Sequence, residues 1–289
     1  MQKYYHIGII GGSGLYDFPG LINKNSIEID TPFGKPSSPI LTGTLNGKRV
    51  AFLARHGIGH IHSPSEVNYR ANIYALKSVG VKKIVSISAC GSLREDFAPG
   101  QIILPDQIFD HTQKRVRSFF GNGIVAHIGV PNPFCQTLTN EVYASLEDTG
   151  AVVHKGGTYI TIEGPRFSTI AESNVYRSWG MSIIGMTACP EVFLAREAEI
   201  CYCTMAHVTD YDVWHTSEEP VSVEMVINVL NQNTDTAQKA IANFLERTDT
   251  DQLDGCSCQN ALKNAIMTRK DLIPETVKND LEILIHKYL

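Results

Sequence analysis

The chain has 289 residues, 43% hydrophobic and 19% charged, which suits one large α/β domain and argues against wholesale disorder. A formal net charge of -5 gives no basic field to hold DNA or RNA, and no apolar run approaches the roughly 18 residues that cross a membrane. Seven cysteines, an odd number scattered along the chain, do not suit a secreted disulfide scaffold, and the start Met1-Gln-Lys-Tyr-Tyr-His6 lacks a secretion core, so a cytoplasmic enzyme is expected.

Residues 7–10 read as a short buried strand running into Gly11-Gly12-Ser13-Gly14. Glycines after a strand let backbone N–H groups approach an anion, and Ser13 adds a hydroxyl; the loop is neither a complete dinucleotide fingerprint, since Asp17 stands where the last glycine belongs, nor a Walker A loop. Residues 40–45 and 49–54 form a hairpin about Asn46-Gly47. Its second strand ends on Arg55-His56, with His60 and His62 beyond. Three histidines in seven residues invite a metal, but an Arg beside a His better suits a phosphate, because the guanidinium forks onto two oxygens and the imidazole adds a donor.

Ser63-Pro64-Ser65-Glu66 has the form of a capping box, predicting a helix from there to Val79. A buried strand over 83–89 then delivers a second small-residue loop, Ser88-Ala89-Cys90-Gly91-Ser92. Residues 109–126 read as an irregular basic segment, a lid or a subunit contact. Helices are expected over 133–148 and 169–179, the latter with a Thr169–Glu172 capping box, and strands over 151–153, 158–162 and 182–185. Between them Glu163 and Arg166 either pair with each other or face a ligand. Pro190-Glu191 opens another helix.

The apolar run 200–208 ends in Asp210-Tyr211-Asp212, two acids at the carboxyl end of a buried strand, where open α/β folds place ligands. A long amphipathic helix spans 221–245, and 261–267 and 281–288 read as short closing helices. Cys201 and Cys203 share one strand face, a poor match to zinc spacing, and Cys256-Ser-Cys258 lies in a polar loop, read as free cysteine or a redox pair. Strands and helices alternate throughout, so one α/β domain is favoured.

Gly11-Gly-Ser-Gly14, Thr31-Pro-Phe-Gly-Lys-Pro-Ser37, Leu53-Ala-Arg-His-Gly57, Ala89-Cys-Gly-Ser-Leu-Arg94, Thr161-Ile-Glu-Gly-Pro-Arg-Phe-Ser168, Pro190-Glu191 and Thr209-Asp-Tyr-Asp-Val-Trp214 together resemble the 5'-methylthioadenosine phosphorylases of the trimeric purine nucleoside phosphorylase class. The resemblance runs in order from about residue 6 to 230 and fades after about 240. It implies a single domain over 1–289, with a mixed, barrel-like central sheet flanked by helices and a less distinct helical segment over 238–289. It further implies a homotrimer, or a dimer of such trimers, with active sites at subunit boundaries, and no cofactor beyond inorganic phosphate as co-substrate.

Carried over by position, phosphate would be held by Ser13, Arg55, His56, Ser88, Ala89 and Thr187. The ribose and methylthio end would meet Met186, Phe167, Val223 and a neighbour's His127. Ser168, Asp210, Tyr211 and Asp212 would face the purine. The implied reaction is phosphorolysis of 5'-methylthioadenosine to adenine and 5-methylthioribose 1-phosphate, a step of methionine and purine salvage. Bond cleavage through an oxocarbenium-like state loads charge onto the departing base, so an acid at N7, Asp210, is wanted, while Asp212 can accept from the adenine amino group. His207, just upstream, has no assigned role. The rivals are phosphorolysis of other purine nucleosides, a metal-dependent deaminase or hydrolase built on His56, His60 and His62, and a nucleotide sensor without turnover.

Overall fold

The computed structural model describes residues 5–12, 18–216, 221–248 and 256–289. β1 (Ile7–Gly11), β2 (Ile22–Ile27), β3 (Ile40–Leu45) and β4 (Lys48–Ala54) precede α1 (Tyr69–Ser78) and the long β5 (Lys83–Ser92). Three short strands follow, broken by one helix: β6 (Ile102–Leu104), β7 (Gln107–His111), α2 (Gln136–Glu147) and β8 (Val153–Lys155). Then come β9 (Thr158–Ile162), α3 (Ile170–Ser178), β10 (Ile183–Gly185), α4 (Ala188–Glu197), β11 (Cys201–Asp210), α5 (Val223–Arg247), α6 (Glu275–Asp280) and α7 (Glu282–Ile285).

β1, β5 and β11 are buried at nearly every position, as continuous apolar runs in a parallel sheet must be. Alternation along them sorts the core into two layers. Ile10, Ile84 and Tyr202 face one side with residues of α1 and α4; Ile7, Ile9, Val85, Cys203 and Met205 face the other with residues of α2 and α5. The result is a single α/β domain with one large mixed sheet between helices.

The sheet runs β2-β3-β4-β1-β5-β10-β9-β7, and β11 adds to the other edge of β5, carrying β6 and β8. β4, β1, β5 and β11 are mutually parallel, so their carboxyl ends share one side. β5 is also forked. On one edge β1 accompanies it only as far as Ser86, and β10 takes over, antiparallel, at Gly91 and Ser92. No described strand lies opposite Ile87 to Cys90 on that edge, which leaves a gap in the ladder at the loop read from the sequence as an anion cradle.

The Asn46-Gly47 hairpin forms as expected, both residues taking the positive φ that a two-residue turn requires, 48° and 74°. So does the Thr169–Glu172 capping box at the start of α3. Other expectations are corrected. Ser63 and Glu66 do exchange hydrogen bonds, but they close only a turn, and the helix starts at Tyr69 with Asn68 capping Ala71 N. Pro64 permits a helical start without compelling one. The helix expected over 261–267 is a 3-10 turn at Ser257–Asn260 followed by turns. β2 was unexpected, because its polar, exposed Ile-Asn-Lys-Asn-Ser-Ile belongs to a sheet edge. β7 was missed inside the segment read as irregular.

Candidate active site

The parallel register sets Gly11 beside Ala54, and Arg55 N donates to Gly11 O at 3.1 Å, so the chain leaves β4 directly across the end of β1. Arg55 is buried, and its guanidinium reaches into the gap beside β5: Nη1 donates to Ile87 O at 3.0 Å and Nη2 to Ser86 Oγ at 2.6 Å. Its fork, expected to meet an anion, meets Glu191 instead, Nε to Oε2 at 2.7 Å and Nη2 to Oε1 at 2.9 Å. Burial would weaken the arginine charge, but Glu191 overcomes that and holds it above its ordinary value. Glu191 is wholly buried and also accepts from Ser86 Oγ and Tyr202 Oη. Arg55 is therefore a neutralised cation with one Nη1 hydrogen left over.

His56 is half-buried, and burial, with the Arg55 charge second, lowers its pKa to about 4. Nδ1 lies 2.9 Å from His62 O. A carbonyl only accepts, so Nδ1 carries the proton and Nε2 is left as an acceptor. The expectation that His56 donates to an anion is thus reversed for its neutral form. His60 stacks on it with centroids 4.2 Å apart but is exposed, and the three histidines do not gather into a metal-ligand group among the described residues.

At the end of β11 the pairing with β5 bulges between Val208 and Asp210, and bulges re-aim side chains beside functional sites. Asp210 accepts from Thr209 Oγ1 at 2.6 Å and from Asp212 N at 2.7 Å. Burial, partly offset by these bonds, pushes its pKa up to about 6. Asp212, held at φ 53°, is also raised by burial; the Ser173 and Ser168 hydroxyls nearby offset part of that, yet its Oδ2 completes no hydrogen bond among the described residues. Gly91 makes room for the pair, since a Cβ there would meet Asp210 Oδ1 at 2.8 Å. Trp214 Nε1 closes the turn onto Ser92 O at 2.7 Å, and Tyr211 stacks on His215 with centroids 4.5 Å apart.

The remaining expected residues are placed as follows. Ser88 and Ala89 lie at the ladder gap, and the Ser88 hydroxyl is buried without a partner among the described residues. The antiparallel register of β10 on β5 returns the chain toward them at Met186 and the buried Thr187. Met186 packs against the 163–168 turn, close enough that a Cβ on Gly164 would meet its Sδ at 2.5 Å. Phe167 and Ser168 are half-buried on that turn. His127 and Val223 are exposed. Ser13 lies outside the described residues. His207 is buried with both ring nitrogens unpartnered among the described residues, and burial lowers it to about 4.

Arg115, in the segment read as a lid, is buried instead. Its Nη1 donates to Met186 O and Cys189 O, both at 2.6 Å, and Nη2 to Glu163 O at 2.8 Å, tying the two turns together. Glu163 does not pair with Arg166; it accepts from Gln113 N and Lys114 N, while Arg166 forks onto Glu172. Arg115 and Glu191 were missed because their partners are distant in the chain; an Arg in a segment otherwise exposed offers no local signal. Two clefts of about 130 and 120 Å³ open near Arg115 and near Glu163, and neither is lined by Arg55, Ser88 or Asp210. The strand-end groups Arg55, Ser88 and Asp210 therefore lie apart from both clefts.

Residues 6–246 match the pattern of the phosphorylase superfamily. The chain is 52% identical to an S-methyl-5'-thioadenosine phosphorylase of Geobacter sulfurreducens over 284 residues, 98% of this chain and 99% of the other. Among solved structures it is similar to a methylthioadenosine phosphorylase from an antarctic soil metagenomic library, with a TM-score of 0.93 at 45% identity, covering 98% of this chain and 99% of that one. It is also similar to a methylthioadenosine phosphorylase of Schistosoma mansoni in complex with adenine, with a TM-score of 0.83 at 36% identity over 92% and 99% of the two chains.

Proposed function

The chain belongs to the phosphorylase superfamily, and we propose that it cleaves 5'-methylthioadenosine with inorganic phosphate, giving adenine and 5-methylthioribose 1-phosphate. It is an enzyme of the purine nucleoside phosphorylase type, a pentosyltransferase. The observation that carries the reading is Asp210, a buried acid whose pKa of about 6 lets it hold a proton at the mouth of a parallel sheet, beside a ladder gap suited to an oxyanion.

In the reaction a phosphate oxygen bonds to the anomeric carbon as the bond from that carbon to N9 breaks. The electron pair of the broken bond passes into the purine, and Asp210 donates its proton at N7. The proton released from the attacking phosphate restores the acid, so the balance closes without metal or cofactor. Asp212 accepts from the adenine amino group, with Ser168 and Tyr211 completing the base site; a 6-oxopurine would set an acceptor against that carboxylate.

Phosphate lies at the gap, held by Ser88 Oγ, the Ala89 amide, Thr187, Ser13 and the remaining Nη1 hydrogen of Arg55. His56 Nε2 accepts from a protonated phosphate oxygen. Arg55 is thus chiefly a fixed wall of the site, kept in place by Glu191. Met186, Phe167 and Val223 give an apolar end to the pocket, fitting a methylthio group. A neighbouring subunit's His127 completes it within a homotrimer. The exposed Val223 and His127, and the exposed apolar pair of Phe109 and Trp179, support an association of this kind. No helix among the described residues is long and apolar enough to cross a membrane. The place of action is the cytoplasm, in methionine salvage.

Incubation with 5'-methylthioadenosine, with and without phosphate, followed by chromatography of the purine tests the reading. Adenine released only with phosphate is the expected result; hypoxanthine, or release indifferent to phosphate, overturns it.

A further inference from the structure

Four cysteines that the sequence scatters over more than a hundred residues share one point in the fold. Cys135 is the N-cap of α2, Cys201 opens β11, Cys256 precedes the 3-10 turn at Ser257–Asn260, and Cys258 lies within that turn. Their sulfurs all lie within 4.8 Å of one another, with Cys135 Sγ and Cys256 Sγ 3.4 Å apart. We propose that Cys135, Cys201, Cys256 and Cys258 bind one zinc ion as a closed structural site, a role unrelated to the phosphorolysis reading.

The geometry favours a shared centre. With zinc–sulfur bonds of about 2.3 Å, a tetrahedron has sulfurs about 3.8 Å apart, so the quartet needs only small adjustments to enclose an ion. Two separate disulfides would require each pair to converge to about 2.0 Å and would not require all four sulfurs to meet. The donor set is all sulfur, which selects soft or borderline ions over magnesium or calcium. Three of the four side chains are buried and the fourth is half-buried, leaving no open coordination position of the kind a catalytic zinc keeps.

Thiolate charge also has support at the site. Leu138 N lies 3.5 Å from Cys135 Sγ, at the positive end of the twelve-residue α2. The three remaining cysteines, Cys90, Cys189 and Cys203, lie outside the quartet. Cys203 is two residues from Cys201 on the same strand face, and it faces Thr139 instead. Cys201 and Cys203 do share one side of the sheet and Cys256 and Cys258 are free cysteines, as expected, but the poor match to zinc spacing weighed each C-x-C pair alone, whereas the quartet takes Cys201 from one pair, both members of the other, and Cys135. Cys201 and Asp210 are the two ends of the ten-residue β11, about 30 Å apart at the strand rise, so the ion would pin the chain beyond residue 255 to the body without touching substrate.

The test uses the full chain, produced with zinc in the medium and purified without chelator. The expected results are about one zinc per chain by mass spectrometry, and thiolate-to-metal charge-transfer absorption when cobalt(II) replaces it. In denaturant with chelator and no reductant, all seven cysteines should then react with a thiol reagent. Cys258→Ser should lose the metal, whereas Cys203→Ser should retain it. Chelation of the unmutated protein should lower Tm and leave kcat unchanged, a readout that survives a variant that does not fold. Absence of zinc with only the three outside cysteines reactive would mean two disulfides, and absence of zinc with seven reactive would mean four free thiols; either overturns the proposal, as does retention of zinc by Cys258→Ser.

Discussion

The two ends of β11 are built from opposite chemistries. At its carboxyl end, Asp210 and Asp212 are buried, Asp212 Oδ2 completes no hydrogen bond among the described residues, a bulge distorts the ladder, and the neighbouring β5 must carry a glycine to let the acids approach. At its amino end, Cys201 N donates to Lys82 O, the ladder is regular, and four sulfurs close around a point. One end keeps a buried carboxylate oxygen without a partner among the described residues; the other joins α2, the sheet and the C-terminal segment. A single strand thus carries the reactive and the cohesive parts of the fold at opposite ends, and changes at each should be separable in experiment.

The largest effect is expected from Asp210→Asn. Loss of the proton donor should cut kcat/KM on 5'-methylthioadenosine by roughly 10²–10⁴-fold and shift preference toward 6-oxopurines, with stability at pH 8 equal or higher, because a buried charge is gone. Wild-type kinetics in this variant would break the comparison at its reactive end. The same residue sets a pH dependence. An acid whose pKa rises from 3.8 unfolded to about 6 folded keeps its proton longer in the folded state, so its contribution to stability is greatest at low pH and declines as pH rises through that window. Turnover at saturating phosphate should fall above about pH 6 in the wild type, and pH profiles of the two proteins should differ by that limb.

Next comes Glu191→Gln. Leaving Arg55 buried beside a neutral amide should cost about 3–5 kcal/mol in urea unfolding and should also depress activity, since the wall of the phosphate gap loses its anchor. An unchanged unfolding midpoint would show that the pair does not hold the strand ends. Gly91→Ala should be smaller, about 1–3 kcal/mol, with lowered kcat because the new methyl displaces the Asp210 carboxyl; full activity would mean the acids tolerate displacement. Smallest is Thr169→Ala, which removes the cap of α3 for about 1 kcal/mol of stability and little change in turnover, measurable as a shift in Tm.

Much of this was legible in the chain. Buried apolar runs ending in small residues or acids declared the strand ends, and the Asn46-Gly47 turn and Thr169–Glu172 box fixed local boundaries, because those signals act between near neighbours. The Arg55–Glu191 pair spans 136 residues and the sulfur quartet joins three distant segments, so neither leaves a local pattern. The Ser63–Glu66 box misled because the same hydrogen bonds can close a turn that no helix continues. β2 was hidden by its polarity, the ordinary disguise of an edge strand. The tautomer of His56 depended on a carbonyl six residues away that only the folded turn brings within reach.

That tautomer has a consequence for anion choice. With phosphate held as proposed, the site offers it little net charge, since Arg55 is cancelled by Glu191, and one of its contacts, His56 Nε2, demands a hydrogen rather than supplying one. Sulfate at neutral pH has the size and shape of phosphate but no proton to give, whereas arsenate has both. The enzyme should therefore accept arsenate as a surrogate and ignore sulfate even in large excess, separating two near-identical tetrahedral ions by acidity rather than by charge or radius.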